Sequence, residues 1–240
     1  MSPVLRLSVF LSRAGVSSRR KAEEIVASGK VKVNDLVVLE PQFKVIPEKD
    51  VVTLDNTKIN ETKIKLYIAL HKPPKVLSDL KYDDDREIAR NLIGIQGYLY
   101  PVGRLDYHSE GLMIFTNDGN FAYRVSHPRF EVEKEYLVKF KGTLSQHDLK
   151  QMKRGILIDG ETYKVDSISF VKMSLHNSWY RIVLGEGKNR MIRNMGKALG
   201  CHVLKLKRIR IGNITLGSLK PREYRYLEGH EVKELQIKYF

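Results

Sequence analysis

One loop of the sequence carries a carboxylate between a glycine and a short apolar strand. Gly103-Arg104-Leu105-Asp106 precedes the strand-like run Gly111–Thr116, and an Asp118-Gly119 turn is expected to close that strand. An aspartate near a glycine is commonly only a turn former. A carboxylate that acts as a nucleophile must stay ionised in a partly dehydrated pocket, and an adjacent guanidinium favours the ionised form and orients it. Asp106 is therefore the first candidate for chemistry, with Arg104 as its expected cationic neighbour.

A second candidate segment opens a basic helix predicted over residues 189–199. Glycines flank its start in Gly185-Glu186-Gly187-Lys188-Asn189-Arg190, and Met191, Met195 and Leu199 recur every four residues as a buried stripe. The opposite face then presents cationic and amide side chains, namely those of Arg190, Arg193, Asn194 and Lys197. The spacing fits neither a Walker loop nor a dinucleotide fingerprint. The helix is expected to hold arginines toward a site, and an ordinary solvated helix is the alternative.

Two further segments indicate ligand binding less strongly. In Leu204–Ile211, apolar and basic residues alternate until the phase slips at Lys207-Arg208, and we predict a bulge there that keeps one face basic. That face, with Lys205, Lys207 and Arg208, suits phosphate contacts. Asp83-Asp84-Asp85 has the donors for a divalent cation, but capping of a helix that begins nearby is favoured.

The first 60 residues predict a small helical unit. A short apolar helix containing Leu5–Leu11 ends at Gly15, and Ser17 or Ser18 caps a second helix that Gly29 closes. Two short strands then flank a turn at Asn34-Asp35. The polar, aperiodic residues 55–65 predict a linker. We therefore place the domain boundary there, with domains over residues 1–60 and 61–240.

The remainder of the chain predicts an α+β domain. Strand-like runs (65–70, 112–116, 135–140, 179–184, 202–211) alternate irregularly with helical runs (85–92, 120–126, 145–154, 189–199). Hairpin-like strand pairs disfavour a regular doubly wound parallel sheet. The expected fold is a mixed, largely antiparallel sheet with flanking helices.

Charge and composition narrow the function class. The 240 residues carry 42 Lys and Arg against 28 Asp and Glu, a formal charge of +14, which points to an anionic partner. Two segments, 1–34 and 181–225, hold this surplus. The single cysteine excludes an intrachain disulfide and a Cys-rich zinc site. We find no secretory signal and no apolar run of bilayer length, so we expect a cytoplasmic protein without a metal or membrane insertion.

Several ordered motifs together resemble one enzyme family. They are Gly103-Arg104-Leu105-Asp106, Gly111-Leu112, Thr116-Asn117-Asp118-Gly119, His127-Pro128, Glu133–Val138 and Glu186-Gly187-Lys188-Asn189-Arg190. In this order they resemble the pseudouridine synthases that modify ribosomal RNA, in the RsuA/RluB/RluE/RluF branch. Residues 11–20 and 31–34 are similar to the RNA-binding domain of ribosomal protein S-four. The resemblance covers nearly the whole chain.

The resemblance implies a reaction and roles for residues. A uridine is isomerised to pseudouridine in ribosomal RNA, without cofactor or metal, after the base has been flipped out of its stack. Asp106 is then the catalytic aspartate, Tyr136 packs against the base, and Arg193 pairs with the aspartate. Ile192 walls the base pocket and Arg104 grips the nucleotide. RNA contacts are expected from a wider basic set: Lys188, Asn189, Arg190, Arg13, Arg19, Arg20, Lys21, Lys205, Lys207 and Arg208.

Some features depart from the family pattern, and some questions stay open. Met191 and Asn194 stand where the branch commonly has a polar and a second basic residue, and Lys75 stands where a glycine usually follows Lys-Pro-x. The helix motif favours large-subunit over small-subunit RNA.

A noncatalytic RNA-binding or ribosome-assembly factor is the rival hypothesis. We expect a monomer without an obligate protein partner. Attack at C1′, attack at C6 and glycal formation are equally compatible with an ionised Asp106.

Overall fold

The computed structural model describes residues 4–60, 64–78 and 85–240. The chain divides into two compact units, one comprising Met1–Tyr67, Gly94–Tyr100 and Thr116–Asn120, and the other comprising Ile68–Ile93, Pro101–Phe115 and Phe121–Phe240. The predicted boundary near residue 60 stays a prediction. Within the described residues, no helix is long and apolar enough to cross a bilayer.

The segment before residue 60 contains two helices and short strands. Its elements are β1 (Leu5–Arg6), α1 (Leu7–Arg13), α2 (Arg19–Ala27), β2 (Val31–Val33), β3 (Leu36–Val37), β4 (Lys44–Val45), β5 (Val52–Leu54) and β6 (Thr57–Ile59). Strand β1 pairs with β4, and β3-β2-β5-β6 form a four-stranded sheet. Apolar side chains of both helices and of β2, β4 and β5 make one buried core.

Local sequence signals explain how these elements begin and end. Gly15 has a φ of +79°, a left-handed conformation that suits glycine after α1. The Ser18 hydroxyl accepts a hydrogen bond from the Lys21 backbone N–H and so caps α2. Asn34 and Asp35 both have positive φ, as a two-residue hairpin turn requires. These cap and turn predictions are confirmed, whereas Leu5, expected in the first helix, lies in β1, and α1 begins at Leu7.

The predicted linker over residues 55–65 is wrong in its first half. Asp55 and Asn56 have φ values of +47° and +63° and form a second tight hairpin turn between β5 and β6. These residues are polar because they form a turn and the strand Thr57–Ile59, whose first two residues are exposed. Residues 61–63 lie outside the described residues.

The rest of the chain is built on a nine-stranded sheet. Its elements are β7 (Tyr67–Lys72), β8 (Tyr100–Val102), β9 (Glu110–Thr116), α3 (Gly119–Ser126), β10 (Lys134–Lys141), α4 (Gln146–Arg154), β11 (Ile156–Ile158), β12 (Glu161–Tyr163), β13 (Ser167–Ser174), β14 (Asn177–Leu184), α5 (Met191–Ala198), β15 (Val203–Ile211), β16 (Ile214–Thr215), β17 (Tyr224–Tyr226) and α6 (Gly229–Tyr239). Short 3₁₀ helices span Ala89–Leu92 and Pro128–Phe130.

The sheet has the order β13-β14-β10-β15-β9-β7-β17, with β16 on β15 and β8 on β9. The β13–β14, β14–β10, β10–β15 and β7–β17 pairs are antiparallel, whereas β15 and β9 run parallel. The α+β class and the mixed, largely antiparallel sheet are therefore confirmed. The central strands are the most apolar, and Leu112–Phe115 of β9 is fully buried.

Two local predictions in this part of the chain need correction. Only Ala89–Leu92 of the predicted helix 85–92 is helical, as one 3₁₀ turn. Asp118-Gly119 is not a turn after β9, because Asp118 Oδ1 accepts from the Asn120 N–H and the helix α3 begins at Gly119. Asp83 and Asp84, the proposed cation or capping residues, lie outside the described residues.

Gly111 allows β9 and β15 to approach closely. It pairs in parallel with Arg208 and has a φ of +116°. A β-carbon at this position would overlap the Arg208 carbonyl oxygen and lie 2.6 Å from the Arg208 nitrogen. Glycine is therefore required both for the backbone conformation and for the contact.

We expect Gly111→Ala to lower the free energy of unfolding by about 3 kcal/mol or more, because Gly111 and Arg208 are both buried and their backbones are already in close contact. Chemical denaturation measures this change. Gly160→Ala is the matched control: Gly160 also has a positive φ, but a β-carbon added there would meet no atom within 4 Å. We expect a loss of only about 1–2 kcal/mol at Gly160. Equal losses at the two positions would contradict the close-approach argument.

Candidate active site

A cavity of about 160 Å³ lies against the sheet beside Asp106. This is smaller than the roughly 300–1,000 Å³ typical of sites for drug-sized ligands, and suits a single flat ring. The lining combines loop, strand and helix residues: Gly103, Arg104, Leu105, Asp106, Ser109, Ser126, Pro128, Lys134, Tyr136, Leu184, Gly187, Lys188, Arg190, Met191, Ile192, Leu206 and Arg208.

The loop that carries Asp106 is fixed by hydrogen bonds on both sides. Ser78 Oγ accepts from the Leu105 N–H and donates to the Leu105 carbonyl. The Lys75 N–H donates to the Tyr107 carbonyl at 2.7 Å, and the Ser109 N–H donates to the Asp106 carbonyl. These bonds leave the loop backbone little freedom, so the Asp106 carboxylate is held in place at the edge of the cavity.

Two guanidinium groups lie next to the Asp106 carboxylate. Arg193 Nε is 3.6 Å from Asp106 Oδ2, and Arg190 Nη1 is 3.7 Å from the same oxygen. The Arg193 side chain is 14% exposed, whereas that of Arg190 is 51% exposed. Solvent screens the Arg190 pair more strongly, so Arg193 is the stronger electrostatic partner.

Arg193 is held by three elements at once. Its Nη1 donates to the Val203 carbonyl and its Nη2 to Ser109 Oγ, each at 3.3 Å. Burial lowers the pKa of this guanidinium, and Asp106 opposes that effect. The predicted pairing of Arg193 with Asp106 is thus present in the geometry, while the role of each residue in catalysis remains a proposal.

Strand register sets the wall of the cavity. Tyr136 of β10 lies opposite Ile182 of β14 and opposite Arg208 of β15. Tyr136 is 8% exposed and Ile192, in the first turn of α5, is 3% exposed. The family resemblance implies that these two side chains lie beside the base, and the fold brings both to the cavity.

The expected partnership between Arg104 and Asp106 is wrong. Arg104 lines the cavity and is exposed, but within the described residues the ion pairs of Asp106 go to Arg190 and Arg193. Neighbours in a loop need not converge, because successive side chains in an extended loop point in different directions. The helix α5, more than 80 residues further along the chain, supplies the cations instead.

The expected basic face of β15 is wrong in one member, Arg208. The strand alternates through residue 208, and its register shifts lie at Leu204 and Ile209 rather than at Lys207-Arg208. Lys205 and Lys207 therefore share one face, while Arg208 lies with Leu206 on the cavity side and is only 2% exposed. Arg208 is not available as a surface phosphate contact.

The other residues predicted to bind RNA belong to several different elements. Lys188 reaches the β11–β12 hairpin, where its Nζ donates to the Thr162 carbonyl at 3.0 Å and lies over the Tyr163 ring. The Asn189 carbonyl accepts a hydrogen bond from Asn194 Nδ2 at 3.3 Å. The N-terminal cations Arg13, Arg19, Arg20 and Lys21 are exposed on or beside α1 and α2. Their predicted roles remain proposals.

Two lysines near the site, one fully and one partly buried, were not singled out from the sequence. Lys72 is fully buried, and its Nζ donates to the Pro73 and Val76 carbonyls. Burial lowers its pKa to about 8, opposed by Asp106. Lys134 is partly buried, and burial also lowers its pKa to about 8. Lys72 ends a buried strand and Lys134 precedes Glu135-Tyr136, but no sequence pattern marked either lysine as shielded from solvent.

No group of three His, Cys, Asp or Glu side chains in the described parts of the chain is arranged to hold a metal ion.

Comparison with known families gives two matches along the chain. Residues 66–198 match the family model described as RNA pseudouridylate synthase, and residues 5–52 match the S4 domain model. The first match spans more than half of the 240 residues and contains Asp106, Tyr136, Ile192 and Arg193.

Whole-chain relatives agree with these matches. A protein of Aquifex aeolicus named "Uncharacterized RNA pseudouridine synthase" is 42% identical, over 96% of this chain and 93% of its own length. The "Ribosomal large subunit pseudouridine synthase B" of Bacillus subtilis is 39% identical, over 96% and 95%. A solved structure described as a pseudouridylate synthase superposes with a TM-score of 0.67 at 27% identity, over 96% and 99%.

Proposed function

Since the chain belongs to the RNA pseudouridylate synthase family, we propose that it isomerises a uridine of ribosomal RNA to pseudouridine with Asp106 as the catalytic carboxylate. The observation that carries this proposal is the arrangement of Asp106 beside Arg193 at the edge of a ring-sized cavity. The Bacillus subtilis relative is named for the large ribosomal subunit, which favours large-subunit RNA as the substrate.

The cavity geometry explains why the target base must leave its stack. A uracil inside stacked RNA presents only its edges, whereas the cavity is lined by Tyr136 and Ile192 on different elements and requires a free ring. Extrusion costs a few kcal/mol, which backbone contacts and stacking on Tyr136 offset. Arg104 and Arg190, both exposed at the cavity, are suited to hold the phosphates of the extruded nucleotide.

Arg193 has a positioning role in this proposal. Its guanidinium is fixed by Ser109 and Val203 and lies next to Asp106, so it keeps the carboxylate ionised and pointed at the cavity. The chemical step is the same in outcome for attack at C1′, attack at C6 or glycal formation: the C1′–N1 bond breaks and a C1′–C5 bond forms. Each route requires an ionised Asp106.

The substrate is tested by mapping pseudouridines in ribosomal RNA. RNA from cells that lack this gene would be incubated with the purified protein, as free RNA and as assembled subunits. We expect one new pseudouridine or a small set in large-subunit RNA. The rival hypothesis of a noncatalytic assembly factor predicts RNA binding without any new pseudouridine, and that result would overturn the proposal.

We propose that the S4 domain supplies affinity rather than chemistry. Arg19, Arg20 and Lys21 are exposed at the start of α2. Replacing all three with Gln removes three charges, so we expect weaker RNA binding and a salt-dependence slope shallower by about 2–3. The turnover rate at saturating RNA should not change. Filter binding at several salt concentrations, together with single-turnover rates, measures both quantities.

A control helix separates this effect from a general loss of charge. Lys150, Lys153 and Arg154 are exposed on α4, and changing all three to Gln removes the same net charge. We expect the α4 triple variant to retain most of the affinity and of the salt slope. If the two triple variants behave alike, α2 has no specific part in RNA binding.

A further inference from the structure

Two cations at the cavity, Lys134 and Arg208, have no carboxylate partner among the described residues. The neighbouring cations do have carboxylate partners. Arg210 pairs with Glu133 and Glu135, and Arg190 and Arg193 both pair with Asp106. Buried cations are normally paired, because taking an unpaired charge out of water is costly. These two cations therefore offer donors to an anionic or strongly polar group of a ligand.

Arg208 is the more buried of the two. Its Nε donates to the Leu112 carbonyl at 2.8 Å and its Nη1 reaches the Arg104 carbonyl at 3.5 Å. Its Nη2 is buried and has no hydrogen-bond partner within the described residues. A guanidinium has five N–H groups in a fixed fork, so these contacts leave donors unused. An unsatisfied buried donor of this kind calls for an explanation.

Lys134 lies two residues before Tyr136 and on the same face of β10. Its Nζ donates to the Val132 carbonyl at 2.8 Å, which uses one of its three N–H groups. Burial lowers the pKa of Lys134, and the charge of Arg208 adds to the effect. The two cations thus repel each other across the cavity end, and an acceptor bound between them would relieve that repulsion.

The side chains around Lys134 and Arg208 suit a carbonyl group of a base better than a phosphate. Leu184, Ile192 and Leu206 line the same cavity as Lys134 and Arg208, and all three are at most 7% exposed. A phosphate keeps most of its hydration and prefers exposed cations, which the cavity also has in Arg104 and Arg190. A flat ring with carbonyl oxygens matches apolar walls that end in one buried and one partly buried cation.

We propose that Lys134 and Arg208 bind the carbonyl edge of the extruded uracil and stabilise the negative charge that the ring acquires during the reaction. This inference rests on the proposed function, since it presumes a uridine in the cavity. It adds two substrate-binding residues to Asp106, Arg193 and Tyr136.

Each open route puts this charge on the ring. If Asp106 attacks C1′, or if loss of a ribose proton gives a glycal, the electron pair of the C1′–N1 bond stays on the departing uracil. If Asp106 attacks C6, the electron pair of the C5–C6 double bond moves onto the C4 carbonyl oxygen. The charge ends when C5 bonds to C1′, the C5 proton leaves and N1 gains a proton. Preorganised donors aimed at developing charge lower such barriers.

Lys134→Met tests the inference, with Lys139→Met as the matched control. Lys139 lies on the same strand but on the opposite face, where its Nζ lies over the Trp179 ring, so both variants lose one charge from β10. We expect Lys134→Met to lower the single-turnover rate at saturating enzyme by about 10–100-fold, with RNA affinity within about threefold of wild type. Lys134→Arg should restore most of the rate, and Lys139→Met should leave it unchanged.

The outcomes separate this inference from the proposed function. Equal rates for the Lys134→Met and Lys139→Met variants would overturn the role of Lys134 in charge stabilisation. The proposed function would still stand in that case, provided that the wild-type protein turns over its substrate. Weaker RNA binding with an unchanged saturating rate would indicate a phosphate contact and would also overturn the inference. If Lys134→Met does not fold, Arg208→Lys carries the same test, because it keeps the charge but loses the fork. Absence of turnover by wild type would instead defeat the proposed function.

Discussion

Replacing Asp106 with Asn is expected to lower the single-turnover rate of uridine isomerisation by at least about 10,000-fold while RNA affinity stays within a few-fold of wild type. The amide keeps the shape of the side chain but is neutral and a poor nucleophile. Asp106 is partly exposed, and among the described residues its side chain forms ion pairs with Arg190 and Arg193, so its loss should not unfold the chain. Quenched single-turnover assays and filter binding measure the two quantities.

Asp159→Asn is the control for this change. Asp159 is an exposed turn residue with a φ of +51° between β11 and β12, and Asn adopts that conformation equally well. We expect wild-type rates from this variant. A rate for Asp106→Asn within about tenfold of wild type would mean that another group performs the chemistry.

Replacing Arg193 with Gln is expected to lower the rate at saturating RNA by about 100–1,000-fold. The side chain is 14% exposed, so its charge acts on Asp106 with little screening by water. Ser109 and Val203 fix its direction, and Gln is too short to reproduce those contacts. The measurement is again the single-turnover rate at saturating RNA, with thermal unfolding to verify that the variant is folded.

Arg190→Gln provides the comparison, because it removes the same kind of charge at nearly the same distance from Asp106. The Arg190 side chain is 51% exposed, and exposed ion pairs contribute about 0–1 kcal/mol. We expect a rate loss below about tenfold, with the larger effect on RNA affinity. A larger loss for Arg190→Gln than for Arg193→Gln would reverse the assignment of the positioning residue.

Most elements could be predicted from the sequence because their signals are local. Ser18 caps α2, Gly15 ends α1, and alternating apolar residues mark β10 and β14. The family resemblance and the α+β class are confirmed by the family matches and the fold. The linker prediction was wrong because a hairpin turn made of Asp55-Asn56 has the same polarity as a linker.

The charge arrangement inside the site could not be predicted in the same way. Arg208 was expected on a basic surface, since a sequence does not say at which residue a strand shifts its register. Lys72 is fully buried and Lys134 is partly buried, although charged residues are mostly exposed, so their residue type argues for full exposure. The pairing of β10 with β15 places Arg208 opposite Tyr136 at the cavity wall, and Lys72 ends the buried strand β7.

One departure from the family pattern has a structural account. Lys75 stands where the family commonly has glycine, and its φ is +63°. The backbone therefore keeps the left-handed conformation that glycine adopts easily, at a cost of about 1–2 kcal/mol for a residue with a β-carbon. Its N–H still donates to the Tyr107 carbonyl, which helps to hold the Asp106 loop.

The most direct test of the central claim is release of tritium from ribosomal RNA labelled at C5 of uracil. Formation of the C1′–C5 bond expels the C5 hydrogen, so release reports the isomerisation itself. We expect release by the wild-type protein from large-subunit RNA, as free RNA or in the subunit, and no release above background by the Asp106→Asn variant. Release by both proteins, or by neither from RNA of either subunit, would contradict the assignment of Asp106 and of the reaction.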